Sequence, residues 1–257
     1  MQLMIDLGNS ALKWALCDQN GTMSELQRAL HYGALPVDVL AAWSELSAIE
    51  QVYVAAVGSP AVVAAIAQVS QACWGCSPQI IDSAMVAKQI PLRLAYADPA
   101  QLGLDRQLAL WAAQALAVPV LIVDAGTAIT YDLLTADGKH LGGVILPGLK
   151  LMRESLLQGT RIPPHEADTL AHPWGTNTGT AINAATLHAP AALAERLLHT
   201  SQQQLGARPR LIVTGGDAEQ LQPWMPPPVE LQPDLVLRGL ALAVECFKPL
   251  ASGHRHR

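Results

Sequence analysis

Two segments set the same residue types at the same spacing, Asp6-Leu7-Gly8-Asn9-Ser10 and Asp124-Ala125-Gly126-Thr127-Ala128. Each follows a short apolar run, Leu3-Met4-Ile5 in one and Leu121-Ile122-Val123 in the other. The chemistry this pattern offers is anion binding. A Gly after the Asp lets the backbone turn sharply and brings its N–H groups near a ligand. Asn9, Ser10, Thr127 and Thr130 add side-chain donors. A carboxylate repels phosphate, so the role that suits Asp6 and Asp124 is to hold a cation or a water beside it. One such segment is a common turn. Two copies in separate halves of a chain, each directly after a buried-strand pattern, predict a pair of loops that grip a polyphosphate from both sides.

Other candidates carry two readings. Asp105-Arg106 follows Gly103 and opens an amphipathic helix, where a charged pair serves as a cap or a surface ion pair. Gly215-Gly216 follows an apolar run and reads as a strand-to-helix turn or as a close backbone approach to a ligand. Lys13 adds charge near the first loop or is a solvated strand residue. Cys73-Trp74-Gly75-Cys76 has redox or half-zinc-site spacing, but no second pair or His cluster accompanies it. Cys17 and Cys246 stand alone in apolar contexts and are expected in the core. The chain has no G-x-x-x-x-G-K-[ST] and no G-x-G-x-x-G after a strand, which disfavours the P-loop and the dinucleotide-binding fingerprint.

The elements that must position these residues alternate strands with helices. Each repeat continues as an apolar stretch to a hairpin-type turn, Asn20-Gly21 and Asp137-Gly138, so strand, tight loop and strand occur twice. Gln51-Val52-Tyr53-Val54-Ala55-Ala56-Val57 reads as a buried strand stopped by Gly58-Ser59-Pro60, with Pro60 as first residue of a helix over 61–69. Gln79-Ile80-Ile81-Asp82 is a further short strand. The clearest helix spans 104–117, with Leu104, Leu108, Trp111, Ala112 and Ala115 on one face. Pro119 ends it and marks a boundary between halves 1–118 and 119–257. Beyond Gly142-Gly143-Val144-Ile145-Leu146-Pro147-Gly148 a helix is expected over 149–157, then a polar loop over 158–173. A second helix is expected over 178–199, kinked or divided by Pro190. A strand over 210–214 precedes Gly215-Gly216, and Asp234 can cap a last helix over 235–247. The pattern is α/β.

Bulk properties narrow the class. The chain has 257 residues, 51% hydrophobic and 14% charged, which suits a globular protein with a substantial core. A formal charge of −5 argues against nucleic acid as the main partner. The basic residues form no run except the terminal His254-Arg255-His256-Arg257, expected to be solvated. No segment approaches the ~18 apolar residues of a membrane span. The N-terminus lacks a basic region and a cleavage site, so a cytoplasmic location is expected.

The duplicated loops resemble the actin-like ATPase superfamily, in which two related ribonuclease H-like α/β halves close on ATP. That resemblance implies a duplicated fold with the nucleotide in the cleft between its halves. Within the superfamily, the segments above, together with Gly103-Leu104-Asp105-Arg106, Gly175-Thr176-Asn177-Thr178 and Thr214-Gly215-Gly216, occur in the order seen in type III pantothenate kinases. The resemblance covers nearly the whole chain and implies a kinase of coenzyme A biosynthesis that makes 4′-phosphopantothenate from pantothenate and ATP.

The resemblance also implies roles. Asp6, Gly8, Asn9 and Ser10, with Lys13 nearby, form the first phosphate loop, and Gly126, Thr127 and Thr130 the second. Gly215 and Gly216 let the adenosine lie close to the backbone. Asp105 is the general base toward the primary hydroxyl of pantothenate. Arg106 meets its carboxylate, which suits a guanidinium fork. Tyr96, Gly103, Leu104 and Thr178 line the same substrate. Mg²⁺ is organised through Asp6 and water, and a monovalent cation, K⁺ or NH₄⁺, through Asp124. A homodimer is implied, to which the apolar surplus of 181–198 adds a weaker argument. Two departures stand out: Thr176 replaces a residue that is often basic, and Leu104 replaces a commoner Val. The competing readings are a non-catalytic transcriptional accessory factor on the same scaffold and another small-molecule kinase of the superfamily.

Overall fold

The computed structural model describes residues 1–163 and 173–247. Part of the loop expected over 158–173 and the basic tail His254-Arg255-His256-Arg257 lie outside the described residues. Two compact units form, one from Met1–Ala115 with the chain from Asp234 onward, the other from Leu116–Pro233.

The first unit is built on a five-stranded sheet ordered β3-β2-β1-β4-β5. Its strands are β1 (Gln2–Leu7), β2 (Ala11–Cys17), β3 (Gln27–Leu30), β4 (Gln51–Ala56) and β5 (Gln79–Ile81). β1, β2 and β3 pair antiparallel, whereas β4 and β5 run parallel to β1. Five consecutive residues of β1 are buried, because both faces of a central strand are covered. On one face Leu3, Ile5, Leu7, Leu12, Val52 and Val54 pack with Val39 and Trp43 of α1 (Val37–Ser44) and Val62 and Ile66 of α2 (Pro60–Trp74). Trp14 meets Trp43 edge to face at 6.0 Å between ring centroids. α4 (Leu104–Gln114) packs on β4, and α8 (Leu235–Phe247) packs on β1 and β2 and along α4.

The second unit repeats the order as β10-β9-β6-β7-β8. Here β6 (Val120–Ala125), β7 (Ala128–Leu134) and β8 (His140–Pro147) are antiparallel, and β9 (Arg210–Thr214) and β10 (Val229–Leu231) run parallel to β6. Its core joins Leu121, Val123, Ile129 and Tyr131 to Leu149 of α5 (Leu149–Gly159) and to Leu187, Ala191 and Leu198 of α6 (Thr178–Leu205). Ala218 and Leu221 of the one-turn helix α7 (Ala218–Leu221) close it. Strand order and strand sense therefore match between the two units, as the repeated motif predicts.

Several local expectations need correction. The change of unit at Leu116 lies just before Pro119, but α8 belongs to the first unit rather than to 119–257. α4 ends at Gln114, because Ala117 takes a left-handed φ of +51°. Its buried residues include Arg106, Gln107, Ala109 and Leu110 while Ala115 is exposed, so burial is not confined to the expected stripe. The helix is enclosed, with α8 and α3 (Ser83–Gln89) packed on it as well as β4. α3 is itself a helix that the apolar periodicity did not announce, capped by the Asp82 carboxylate, which accepts the Met85 N–H at 2.8 Å. Pro190 does not divide α6. Its carbonyl accepts the buried Tyr131 hydroxyl at 2.8 Å, and burial raises the Tyr131 pKa far enough to keep that donor protonated. Cys246 is exposed, on the outer face of α8; Cys17 is buried. Cys73 and Cys76 are free thiols around the left-handed Gly75 that ends α2.

Candidate active site

The first loop joins β1 to β2. Asp6, only 8% exposed, lies at the end of β1, opposite Lys13 on β2 and beside Ala55 on β4. Residues directly opposite on antiparallel strands share a face, so the Lys13 ammonium belongs on the carboxylate's side of the sheet. Leu7 pairs with Leu12, which leaves 8–11 as the turn, closed by the Gly8 N–H to the Ala11 carbonyl at 3.0 Å. Asn9 and Ser10 are exposed at its tip.

The second loop repeats this on β6 and β7. Asp124 lies opposite Thr130, the position equivalent to Lys13, and beside Thr214 on β9. Ala125 pairs with Ile129, leaving 126–128 as a turn closed by the Gly126 N–H to the Ala128 carbonyl at 3.0 Å. Thr127 is exposed at its tip, and its carbonyl accepts the Gly148 N–H at 2.9 Å. Gly215 comes straight after β9 with a φ of +99°. A Cβ there would overlap the Asp124 carboxylate oxygen and the Ala125 carbonyl. Only glycine combines that conformation with that approach. Gly216 follows, and the Asp217 N–H reaches the Ala125 carbonyl at 2.9 Å, so the strand-to-helix turn is tied to the second loop.

The Asp105-Arg106 pair sits in the first turn of α4. Gly103 is the residue before the helix and offers no side chain to its free N–H groups. Asp105 takes over part of that task, accepting the Arg106 N–H on Oδ1 at 2.8 Å. The cap is thus made by one carboxylate oxygen, which leaves Oδ2 for another partner. Arg106 is 6% exposed and donates from its guanidinium to the Tyr96 hydroxyl at 3.1 Å. Leu104 is buried beneath. Gln107 fastens the preceding segment, donating from Nε2 to the carbonyls of Leu102 at 2.9 Å and Pro99 at 3.0 Å.

Thr178 lies in the other unit, exposed at the first position of α6. Asn177 is the cap: its side chain accepts the Thr180 N–H at 2.8 Å, and Thr180 Oγ1 accepts the Asn177 N–H at 3.1 Å. Thr178 itself starts the helix with its hydroxyl at the surface rather than in the core. Within the first unit the structure brings together Asp6, Gly8, Asn9, Ser10 and Lys13 at one turn and Tyr96, Gly103, Leu104, Asp105 and Arg106 at another. In the second it brings together Asp124, Gly126, Thr127, Thr130, Gly215 and Gly216. Two residues at these turns escaped the sequence reading, His31 and Gly58. His31 follows a short, mostly exposed strand and carries no motif; Gly58 was legible only as a strand stop.

Among the described residues no group of three or more His, Cys, Asp or Glu could hold a metal ion. One carboxylate at the end of β1, Asp6, suits Mg²⁺ held largely by phosphate oxygens and water. Beside Asp124, the buried Thr214 Oγ1 has no hydrogen-bond partner among the described residues, which suits a site completed by a bound ion or water. Among the described residues no helix is long and apolar enough to cross a membrane.

Comparison with known proteins shows the family. A family model for type III pantothenate kinase matches residues 2–200. A type III pantothenate kinase of Nitrosococcus oceani is 35% identical over 94% of this chain and 92% of its own length. That of Alkalilimnicola ehrlichii is 36% identical over 93% and 96%. Two solved structures share the fold at low identity. A Campylobacter jejuni protein assigned to the Baf family of transcriptional activators has a TM-score of 0.60 at 18% identity, covering 95% of this chain and 97% of its own. A Sinorhizobium meliloti protein assigned as a 2-dehydro-3-deoxygalactonokinase has a TM-score of 0.53 at 16% identity, over all of both chains. The fold is the duplicated actin-like ATPase fold, and the chain belongs to the type III pantothenate kinase family.

Proposed function

We propose that this protein phosphorylates pantothenate with ATP, giving 4′-phosphopantothenate in the first step of coenzyme A biosynthesis. The observation that carries the reading is Asp105, whose Oδ1 accepts an N–H of the first turn of α4 while the buried residue after it, Arg106, is held by Tyr96. That carboxylate accepts the proton of the substrate's primary hydroxyl as the oxygen attacks the γ-phosphorus. Arg106, held by Tyr96, pairs with the pantothenate carboxylate, with Gly103, Leu104 and Thr178 completing the contacts. Asp6, Gly8, Asn9, Ser10 and Lys13 bind the phosphates from one loop and Gly126, Thr127 and Thr130 from the other; Gly215 and Gly216 receive the adenosine. Phosphoryl transfer asks mainly for positioning and charge neutralisation, which is what these groups supply. Mg²⁺, placed through Asp6 and water, and K⁺ or NH₄⁺ beside Asp124 would offset phosphate charge.

The direct test is purified protein with ATP, Mg²⁺ and pantothenate, with the product identified by mass. Turnover is expected to rise when sodium is replaced by potassium or ammonium, because selectivity among cations held by oxygen ligands depends on ion size. Equal rates in sodium and potassium, after ammonium is removed, would refute the assignment of Asp124.

We also infer that the working form is a homodimer. The relatives' family supports it, as does the apolar surface of the second unit, where Val144 and Ile145 of edge strand β8 are 38% and 60% exposed. Light scattering across a dilution series, read beside specific activity, is expected to show activity lost as dimers dissociate. A fully active monomer would refute it.

A further inference from the structure

His31, just after β3, is 4% exposed, and the chemistry proposed above does not use it. It touches the first loop twice. Its backbone N–H donates to the Ser10 carbonyl at 3.0 Å, and its Nε2 lies 2.9 Å from the Gly8 carbonyl. A carbonyl only accepts, so Nε2 must carry the proton. The Gly33 N–H points at Nδ1 at 3.4 Å, and an amide only donates, so Nδ1 must not. Both contacts are satisfied together when the ring proton sits on Nε2.

The consequence for the loop follows from peptide geometry. The Gly8 carbonyl and the Asn9 N–H belong to one planar trans peptide and point in opposite directions. A bond from His31 to that carbonyl turns the Asn9 N–H away from β3. The Ser10 carbonyl and the Ala11 N–H are related in the same way. Gly58 leaves room for the Gly8 carbonyl in this position, since a Cβ there would overlap its oxygen. The second loop needs no such side chain. It has three turn residues, 126–128, against four in the first, 8–11, and the Gly148 backbone N–H secures its tip.

We propose that His31 is a positioning residue for phosphoryl transfer: its Nε2–H fixes the Gly8–Asn9 peptide so that the Asn9 N–H is presented to a phosphate of the nucleotide. This rests on reading 8–10 as a phosphate loop. The test compares His31→Leu, which fills the volume without a donor, with His31→Gln, which returns an N–H near the Nε2 position. ATP affinity is measured by calorimetry and both KM values by steady-state kinetics. Asp6→Ala and Thr127→Ala serve as loop controls, and thermal unfolding is followed throughout. His31→Leu is expected to weaken ATP binding and raise its KM about tenfold, the usual scale for one lost hydrogen bond with a displaced group. The pantothenate KM should stay unchanged, and His31→Gln should recover most of the loss. Unchanged ATP affinity in His31→Leu overturns the proposal, as does an equal rise in both KM values that His31→Gln fails to relieve. If Asp6→Ala also leaves ATP affinity unchanged, the phosphate-loop reading fails and the proposal falls with it; a weakened Asp6→Ala beside an unaffected His31→Leu rejects His31 alone.

Discussion

Replacing Asp105 with Asn is expected to lower kcat by about 10²–10⁴, the usual effect of removing a general base. The variant separates the two tasks of this carboxylate. An amide oxygen still accepts the Arg106 N–H that Asp105 Oδ1 holds at 2.8 Å, so the first turn of α4 keeps its cap. What is lost is basicity at Oδ2, together with the interaction of a negative charge with the helix N-terminus, about 0.3–1 kcal/mol. Unfolding temperature and ATP affinity should therefore change little while turnover collapses. Steady-state kinetics beside thermal melts checks this. Near-normal turnover in the folded variant would leave Asp105 as a cap and nothing more.

The second large effect is on stability, at a residue outside both loops. In α8, Gly239 faces α4 so closely that a Cβ would overlap the Leu108 carbonyl. The helix buries Leu235, Val236, Leu237, Leu240, Ala243 and Val244, so the contact is central to its packing. Gly239→Ala would gain about 1 kcal/mol of helix propensity. Backbone carbonyls cannot rotate away as side chains do, so the methyl can be admitted only by moving one helix off the other. Overpacking of this kind costs about 1–3 kcal/mol, occasionally more, and a backbone collision belongs at the upper end. A net loss of about 2 kcal/mol corresponds to a fall of roughly 4–8 °C in Tm. Turnover should drop as well, because α4 carries Asp105 and Arg106 at its start. Thermal and urea unfolding measure the change; an unaltered or raised Tm would show that the two helices separate freely.

The repeated Asp-x-Gly turns were legible because their chemistry is local. A sharp turn after a buried strand needs glycine within a few residues, and the duplication of that need in 6–10 and 124–128 announced two equivalent halves. Pro60 marks a helix start for an equally local reason, its fixed φ; the helices it and Thr178 open run past the expected ends at 69 and 199, to the left-handed Gly75 and Gly206. The family resemblance carried the rest of the site, since nothing in the spacing of Asp105 and Arg106 by itself separated a base from a cap. Tertiary structure decided what depends on distant neighbours. Burial around α4 spreads beyond a single stripe because α3, β4 and α8 all pack on it, and no periodicity within 104–117 records three partners. α8 joins the first unit although it follows the second in sequence, because Gly239 fits against Leu108 across more than a hundred residues of chain. His31 became part of the first loop only when the register of β2 and β3 set it beside the Gly8 and Ser10 carbonyls. Sequence determined the turns, whose conformations are set by covalent geometry within a few bonds; folding determined which side chains meet them, because that choice belongs to strand register and helix packing.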